Sequence, residues 1–521
     1  MELSAFRQIK LILLLVVLLS VSCGRTGGSD GTFFTDIDWT AGVFEAEDRF
    51  KDFCESPRND DAYDDQQGST FQENFWLRSW SNNTYLWYDE IIDQDPGLFD
   101  SPMAYFDELK TRATTPSGNP KDQFHFTFDT EEWIDLSQSG VSAGYGADFV
   151  LLSANPPRSI VVSFAEANSP ASSINLQRGA RILTIDGVDV ENGSDVDTLN
   201  AGLYPAAAGE SHEFTILDQG ATQPRDITLV SANVTADPVP LVSTITAGSD
   251  KIGYLLFNSH IATAEVELAS AVAQLAADNV TDLILDLRYN SGGLLVIASQ
   301  LSYMIAGPTA TNGRIFEMLA FNDQHLSTNP VTGEPLEPTP FYDQTVGFSA
   351  TAGQSLPSLD LPRVFVLTTE TTCSASESII NGLRGIGVQV ILIGDTTCGK
   401  PYGFYPTDNC GTTYFTVQFQ GENDTGFGDY ADGFSPSNTS GASGEIIAGC
   451  SVADDFDHQL GDEQEALIAA ALGYRSNTSC PTAAFKAVGR SALTSDDAQS
   501  IRRQDSAKGV RANKFMTHFG Q

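Results

Sequence analysis

Histidine is scarce, with 6 in 521 residues, and no two cysteines stand in a C-x2-C pair. No histidine lies near a cysteine at ligand spacing, which excludes a structural zinc site. There is no H-E-x-x-H and no G-x-G-x-x-G after a strand, so a zincin and a dinucleotide-binding fold are excluded as well. Gly394 to Lys400 approaches a phosphate-binding loop, but Pro401 stands where that loop needs Ser or Thr. No cofactor is expected. Basic residues are few: 28 Lys and Arg face 68 Asp and Glu, a formal charge of −40. So acidic a surface repels phosphate and disfavours nucleic acid as a partner. Long apolar runs are almost missing. The one example, Leu11–Leu19, has 9 residues. As a helix it would rise ~14 Å, against a hydrocarbon core of ~30 Å. It cannot span a membrane.

What is present begins with that run. Arg7 and Lys10 precede it and small residues follow, the order of an export signal over residues 1–22. Leu19-Ser20-Val21-Ser22-Cys23 resembles a bacterial lipobox, with Ser20 where a Leu is usual. Cys23 is therefore the expected lipidation site, with a lipid anchor to the membrane of the cell envelope. With Cys23 set aside, Cys54, Cys373, Cys398, Cys410, Cys450 and Cys480 remain. An even number in an oxidising compartment predicts disulfides of undetermined connectivity.

The chain divides by composition. Residues 23–70 read as an acidic linker. Residues 71–137 carry aromatic residues at helical spacing (Trp76, Leu77, Trp80, Thr84, Trp87, Tyr88) and a short helix at Met103–Leu109. Residues 138–235 hold strand-like runs at Asp148–Leu152, Ser159–Phe164, Arg181–Ile185, His212–Leu217 and Asp226–Val230. From residue 236 to 480, strands alternate with helices: Ile252–Phe257, Ala262–Ala277, Leu283–Leu287, a helix after Gly292-Gly293, Arg363–Leu367, Ser374–Leu383, Gln389–Ile393 and Glu463–Leu472. That alternation predicts an α/β core with a largely parallel sheet. Residues 481–521 reverse the charge, with seven Lys and Arg against three Asp. They read as a flexible basic tail lying on an acidic body.

Several residues are candidates for chemistry. Gly140-Val141-Ser142-Ala143-Gly144 spells G-x-S-x-G but lacks the strand and helix of a nucleophile elbow. Ser374 opens a helix, where a hydroxyl sits beside unpaired backbone N–H groups. Its bland reading is an N-cap, since Ser374 to Glu377 is a capping box. Lys400 ends the loop after the next strand, and neighbouring parallel strands bring such loops together. A lysine held away from water can serve as a general base; its bland reading is a surface charge. Gly292 and Gly293, after strand Leu283–Leu287, permit close backbone approach, and with the Ala375 N–H they are candidate oxyanion donors. Tyr145, Gly146, Ala147, Asp148 and Phe149 form a turn into a strand that fits a carboxylate-binding loop.

Taken in order, Asp286-Leu287-Arg288-x-Asn290-x-Gly292-Gly293, Ser374-Ala375-Ser376-Glu377 and Gly394-Asp395-Thr396-x-x-Gly399-Lys400 resemble the C-terminal processing (tail-specific) serine peptidase family. Asn168 to Gly187 resembles that family's PDZ domain. The resemblance implies a crotonase-like α/β catalytic core with an inserted or preceding β-rich PDZ domain and a small N-terminal helical region. It implies Ser374 as nucleophile, Lys400 as base, and protein or peptide substrates with free C-termini. No third catalytic residue matches in Asn381 to Gly385. Cys373 and Cys398 flank the pair and join each other, or Cys398 joins Cys410. Two other readings stand beside this one: a catalytically silent PDZ-bearing scaffold, and a Ser/His hydrolase with His260 as base.

Overall fold

The computed structural model describes residues 38–481 and the short strand Lys514–Phe515. The expected export signal, Cys23 and the rest of the basic tail lie outside the described residues. Among the described residues no helix is long and apolar enough to cross a membrane.

Residues 41–69 depart from the expected acidic linker. Phe53–Cys54 pairs with Gln66–Gln67, and Cys54 is bonded to Cys410. Phe50 is fully buried, its ring 5.3 Å from that of Phe75. Arg58 answers the local acids, bonding Asp65 at 2.7 Å and Asp408 at 2.8 Å. A covalent tie, one aromatic anchor and one cation hold a segment that composition assigned to solvent. The aromatic run that follows forms α1 (Thr70–Thr84), and Pro102–Glu108 forms α2. Trp76 stacks on Trp80 at 5.1 Å, and both meet Tyr414 edge-on. The helix stops short of Trp87 because the Leu86 N–H leaves it to bond the Val417 carbonyl.

A β-rich module follows. Its strands are β1 (Ala147–Ser153), β2 (Ser159–Ala165), β3 (Arg181–Ile185), β4 (Ser211–Leu217) and β5 (Arg225–Val230), antiparallel in the order β5-β4-β3-β2-β1. Strand β1 is therefore an edge, and α3 (Val196–Leu203) packs into the same core. Ser142 lies on a separate strand, Val141–Gly144, paired with Ala232–Thr235, so the G-x-S-x-G stretch is no nucleophile elbow.

The remaining chain builds a six-stranded sheet. In chain order the elements are β6 (Leu241–Ala247), β7 (Asp250–Leu256), α4 (Ala264–Asp278), β8 (Asp282–Asp286), the short β9 (Gly293–Leu294), α5 (Leu295–Thr311), β10 (Arg363–Thr368), α6 (Ala375–Gly385), β11 (Gln389–Gly394), the short β12 (Tyr402–Gly403), β13 (Gly449–Ser451) and α7 (Ala466–Asn477). Sheet order is β6-β7-β8-β10-β11-β13, with β6 antiparallel and the rest parallel. Strand β8 is buried at every position, as a strand covered on both faces must be. Alternation sorts its side chains: Leu283 and Leu285 join the core under α4, α5 and α6, while Ile284 joins the core under α7. The architecture is mixed α/β. The loops leaving the C-terminal ends of β7, β8, β10 and β11 carry His260, Asn290 to Gly293, Ser374 and Lys400 respectively, so one end of the sheet collects them all.

The Cys54–Cys410 bond closes a separation of 356 residues. Replacing both cysteines by Ser should cost about 2–5 kcal/mol. We expect a lower thermal midpoint and faster trypsin cleavage at Arg58; unchanged values for both would show that the strap docks without its covalent tie.

Candidate active site

Ser374 sits at the turn between β10 and α6 with φ +61°, a left-handed value that costs a non-glycine residue strain. It has no solvent exposure. Only the reciprocal half of the expected capping box is made, with the Glu377 carboxylate accepting the Ser374 N–H at 2.9 Å. The Ser374 Oγ itself is buried and makes no hydrogen bond among the described residues. A hydroxyl left in that state is available for chemistry. Ala375, the first residue of α6, lies where backbone N–H groups have no acceptor within the helix.

Glu377 does more than close a cap. Its Oε2 accepts the N–H of Lys400 at 2.8 Å, and its Oε1 accepts the N–H of Gly399 at 2.9 Å and the Thr397 hydroxyl at 2.5 Å. One carboxylate thus binds the backbone of both the Ser374 turn and the Lys400 loop. Burial pushes its pKa above the ordinary carboxylate value, and those hydrogen bonds oppose the rise. The Cys373–Cys398 disulfide ties the same two loops covalently. Cys373, Glu377 and Cys398 converge closely enough to suggest a metal site, but the two sulfurs are bonded to each other and offer no thiolate.

Lys400 is fully buried, with Nζ 4.2 Å from the ring centre of Phe404 and 4.7 Å from that of Phe124. It is no surface charge. Asn290 organises the third loop. Its Oδ1 accepts from His260 Nδ1 at 2.9 Å and from the Gly292 N–H at 3.0 Å, while its Nδ2 donates to the Phe257 carbonyl at 2.9 Å. Its own carbonyl accepts the Ser376 hydroxyl at 2.9 Å and the Cys373 N–H at 3.2 Å, joining this loop to the Ser374 turn. The expected role of Gly292 is corrected by this arrangement: its N–H already serves Asn290. Asn290 does not engage the N–H groups of the other two expected donors, Gly293 and Ala375, through its Oδ1. His260 is fully buried, and burial pushes its pKa down to about 3. Asn381, in the stretch where no third catalytic residue matches, donates to the Phe427 carbonyl at 2.9 Å.

The residues expected to bind a carboxylate fall into two kinds. Tyr145, Asp148 and Phe149 turn inward: the Tyr145 hydroxyl donates to the Gly202 carbonyl at 2.9 Å, the Ser163 hydroxyl donates to Asp148 at 2.6 Å, and Phe149 packs in the module core. What the loop offers a ligand is backbone. It lines a cavity of about 510 Å3 that extends past Leu203 and Tyr204 to Asn258, Tyr289 and Ser291 of the core loops. Glu132, Asp135, Asp148, Glu166 and Asp237 also line it, and no Lys or Arg among the described residues does. Burial pushes Glu166 up to about 7, against the opposing hydrogen bond that its carboxylate accepts from the Asp237 N–H.

Residues 251–404 match the family model of Peptidase family S41, a span containing Asn290, Gly293, Ser374, Glu377 and Lys400. The carboxyl-terminal-processing protease of Picosynechococcus sp. is 26% identical over 273 residues, 51% of this chain and 56% of that protein. The protein of the same name from Synechocystis sp. is 31% identical over 163 residues, 31% of this chain and 37% of that protein. The matched region therefore spans little more than half of the first relative and under two fifths of the second. Among solved structures, a Bacteroides fragilis protein assigned to the S41 proteases aligns with a TM-score of 0.57 at 23% identity, covering 81% of this chain and 100% of that one. At that identity the likeness shows the fold. The matched family and relatives support a serine-type peptidase.

Glu377→Gln has nearly the same shape, yet one of its two donor pairs would face an NH2 group. Losing acceptors for buried donors costs about 1–3 kcal/mol each. We expect a clear fall in thermal midpoint and in activity; a variant as stable as the parent would show that the carboxylate does not bind the two loops.

Proposed function

We propose that the chain is an exported serine endopeptidase that hydrolyses peptide bonds in proteins selected by their C-terminal tails. The observation that carries this is the unpartnered, buried Ser374 Oγ on a turn that Glu377 joins to the Lys400 loop. In the reaction, Lys400 Nζ accepts the Oγ proton as Oγ attacks the carbonyl carbon. The developing oxyanion is held by the N–H groups of Gly293 and Ala375. The proton passes to the leaving amine as the C–N bond breaks, and water then hydrolyses the acyl ester on Ser374. His260, at about 3, is too weak a base for the Ser/His reading.

The core is read as crotonase-like and the β-rich module as a PDZ domain. Strand β1 is an open edge suited to strand addition, and the backbone of Tyr145 to Phe149 would take the terminal carboxylate. The cavity leads from that loop toward Ser291 beside the oxyanion loop. Export is supported by the three disulfides, which take up all six cysteines after Cys23. Cys23 is read as the lipid-bearing residue of the mature protein.

Ser374→Ala should lower kcat/KM roughly a thousandfold or more with the fold retained. Lys400→Arg should be as inactive as Lys400→Ala, because a guanidinium cannot accept the proton; an active Arg variant would remove the general-base role. For tail selection, matched reporters ending in apolar residues, in two Asp, or in an amide should be cut in that order of preference for the first. Equal rates for all three would mean that the module does not select tails. The same capture should weaken from pH 6 to 8, since Glu166 gains negative charge as pH rises through about 7. Glu166→Gln should flatten that profile.

A further inference from the structure

Lys514–Phe515, from the basic tail, forms a strand (β14) paired in parallel with β9, Gly293 opposite Lys514 and Leu294 opposite Phe515. Its backbone also comes close to β12, which begins two residues after Lys400. These two residues are therefore near both the loop that carries Gly293 and the loop that carries Lys400. Ser374 and Lys400 have no solvent exposure, so a substrate cannot reach them without displacing protein. Charge points the same way: the tail is +4 from seven Lys and Arg and three Asp, which leaves −44 on the rest of a chain of −40.

We infer that β9 is the edge on which the peptide substrate is laid by strand addition, and that Lys514–Phe515 is its resident occupant. The inference rests on the peptidase reading of this site and names what fills it first. A main-chain ladder recognises an extended peptide without regard to most side chains. Tethering raises the tail's effective concentration to the millimolar range, and the acidic body raises it further. Substrate must displace the tail, or the enzyme must cut it away. Cutting uses the same step as any substrate: Oγ adds to a tail carbonyl, the C–N bond breaks, the amine fragment leaves with the proton, and one water releases the acyl end.

The test replaces the pairing without touching the fold. Lys514→Pro with Phe515→Pro in the full chain removes the N–H donors a strand needs. Steady-state kinetics on a reporter peptide should show KM lowered roughly tenfold, as expected when a tethered competitor is lost, with kcat unchanged. A synthetic peptide of residues 508–521 should then inhibit that variant competitively, and the same peptide with both prolines should not. Equal KM for parent and variant, or a peptide that fails to compete, overturns the inference. If the parent chain has shed its tail by intact mass while Ser374→Ala keeps it, the tail reaches the site as substrate and the inference stands. If no form cleaves the reporter, the peptidase reading fails by itself. The occupancy is then read from fluorescence anisotropy of the labelled 508–521 peptide on the double-proline Ser374→Ala chain: binding of the native peptide but not its proline form supports it, and binding of neither overturns it.

Discussion

One buried carboxylate holds the site together. Glu377 accepts hydrogen bonds from the backbone of Ser374, Gly399 and Lys400 and from the Thr397 hydroxyl. Charge-assisted bonds of this kind are roughly twice as strong as neutral ones. They also offset the cost of removing the carboxylate from water, which otherwise drives its pKa upward. Because the two loops leave adjacent strands β10 and β11, their relative position would otherwise be set only by flexible turns. The disulfide between Cys373 and Cys398 reinforces the same junction, and the Asn290 carbonyl ties the third loop to the Ser374 turn. The strain at Ser374 is tolerable only in so well determined a setting.

A second buried network lies at Arg288, in the loop after β8 that also carries Asn290 and Gly293. Arg288, wholly buried, pairs with Asp286, Asp454 and both oxygens of Glu465. Asp454 also binds Arg178 of the β-rich module at 2.7 Å, and Arg178 donates to the Tyr289 hydroxyl at 2.5 Å. Module and core thus share a charge cluster that includes Arg288 and Tyr289, the two residues before Asn290. Removing one member would leave an uncompensated buried charge, which is far costlier than the pair is worth.

Much of this was legible in the sequence, and the reasons differ by region. Strand Arg181–Ile185 is read to the residue, and Arg363–Thr368 and Gln389–Gly394 to within one, because long apolar runs between turn signals leave little choice. Helix α7 is displaced toward the C-terminus, since Asp462 to Glu465 bends before the helix starts. The short strands after Tyr402, and β13 at the sheet edge, were missed because two or three residues carry no periodicity. The role of Glu377 was visible only as half of a capping box; that its other lone pairs serve a loop 22 and 23 residues away depends on the sheet order. The spacing of Gly292 from Gly293 gave no way to see which N–H Asn290 would claim.

The central claim is that Ser374 is the attacking atom of a peptidase. Covalent labelling of the full chain with a serine-directed peptidyl phosphonate, followed by acid quench and peptide mapping, tests it most directly. The account predicts one phosphonyl group per chain, on the peptide containing Ser374, with labelling blocked by excess substrate peptide. No adduct at Ser374, or an adduct on another serine such as Ser142, would contradict it.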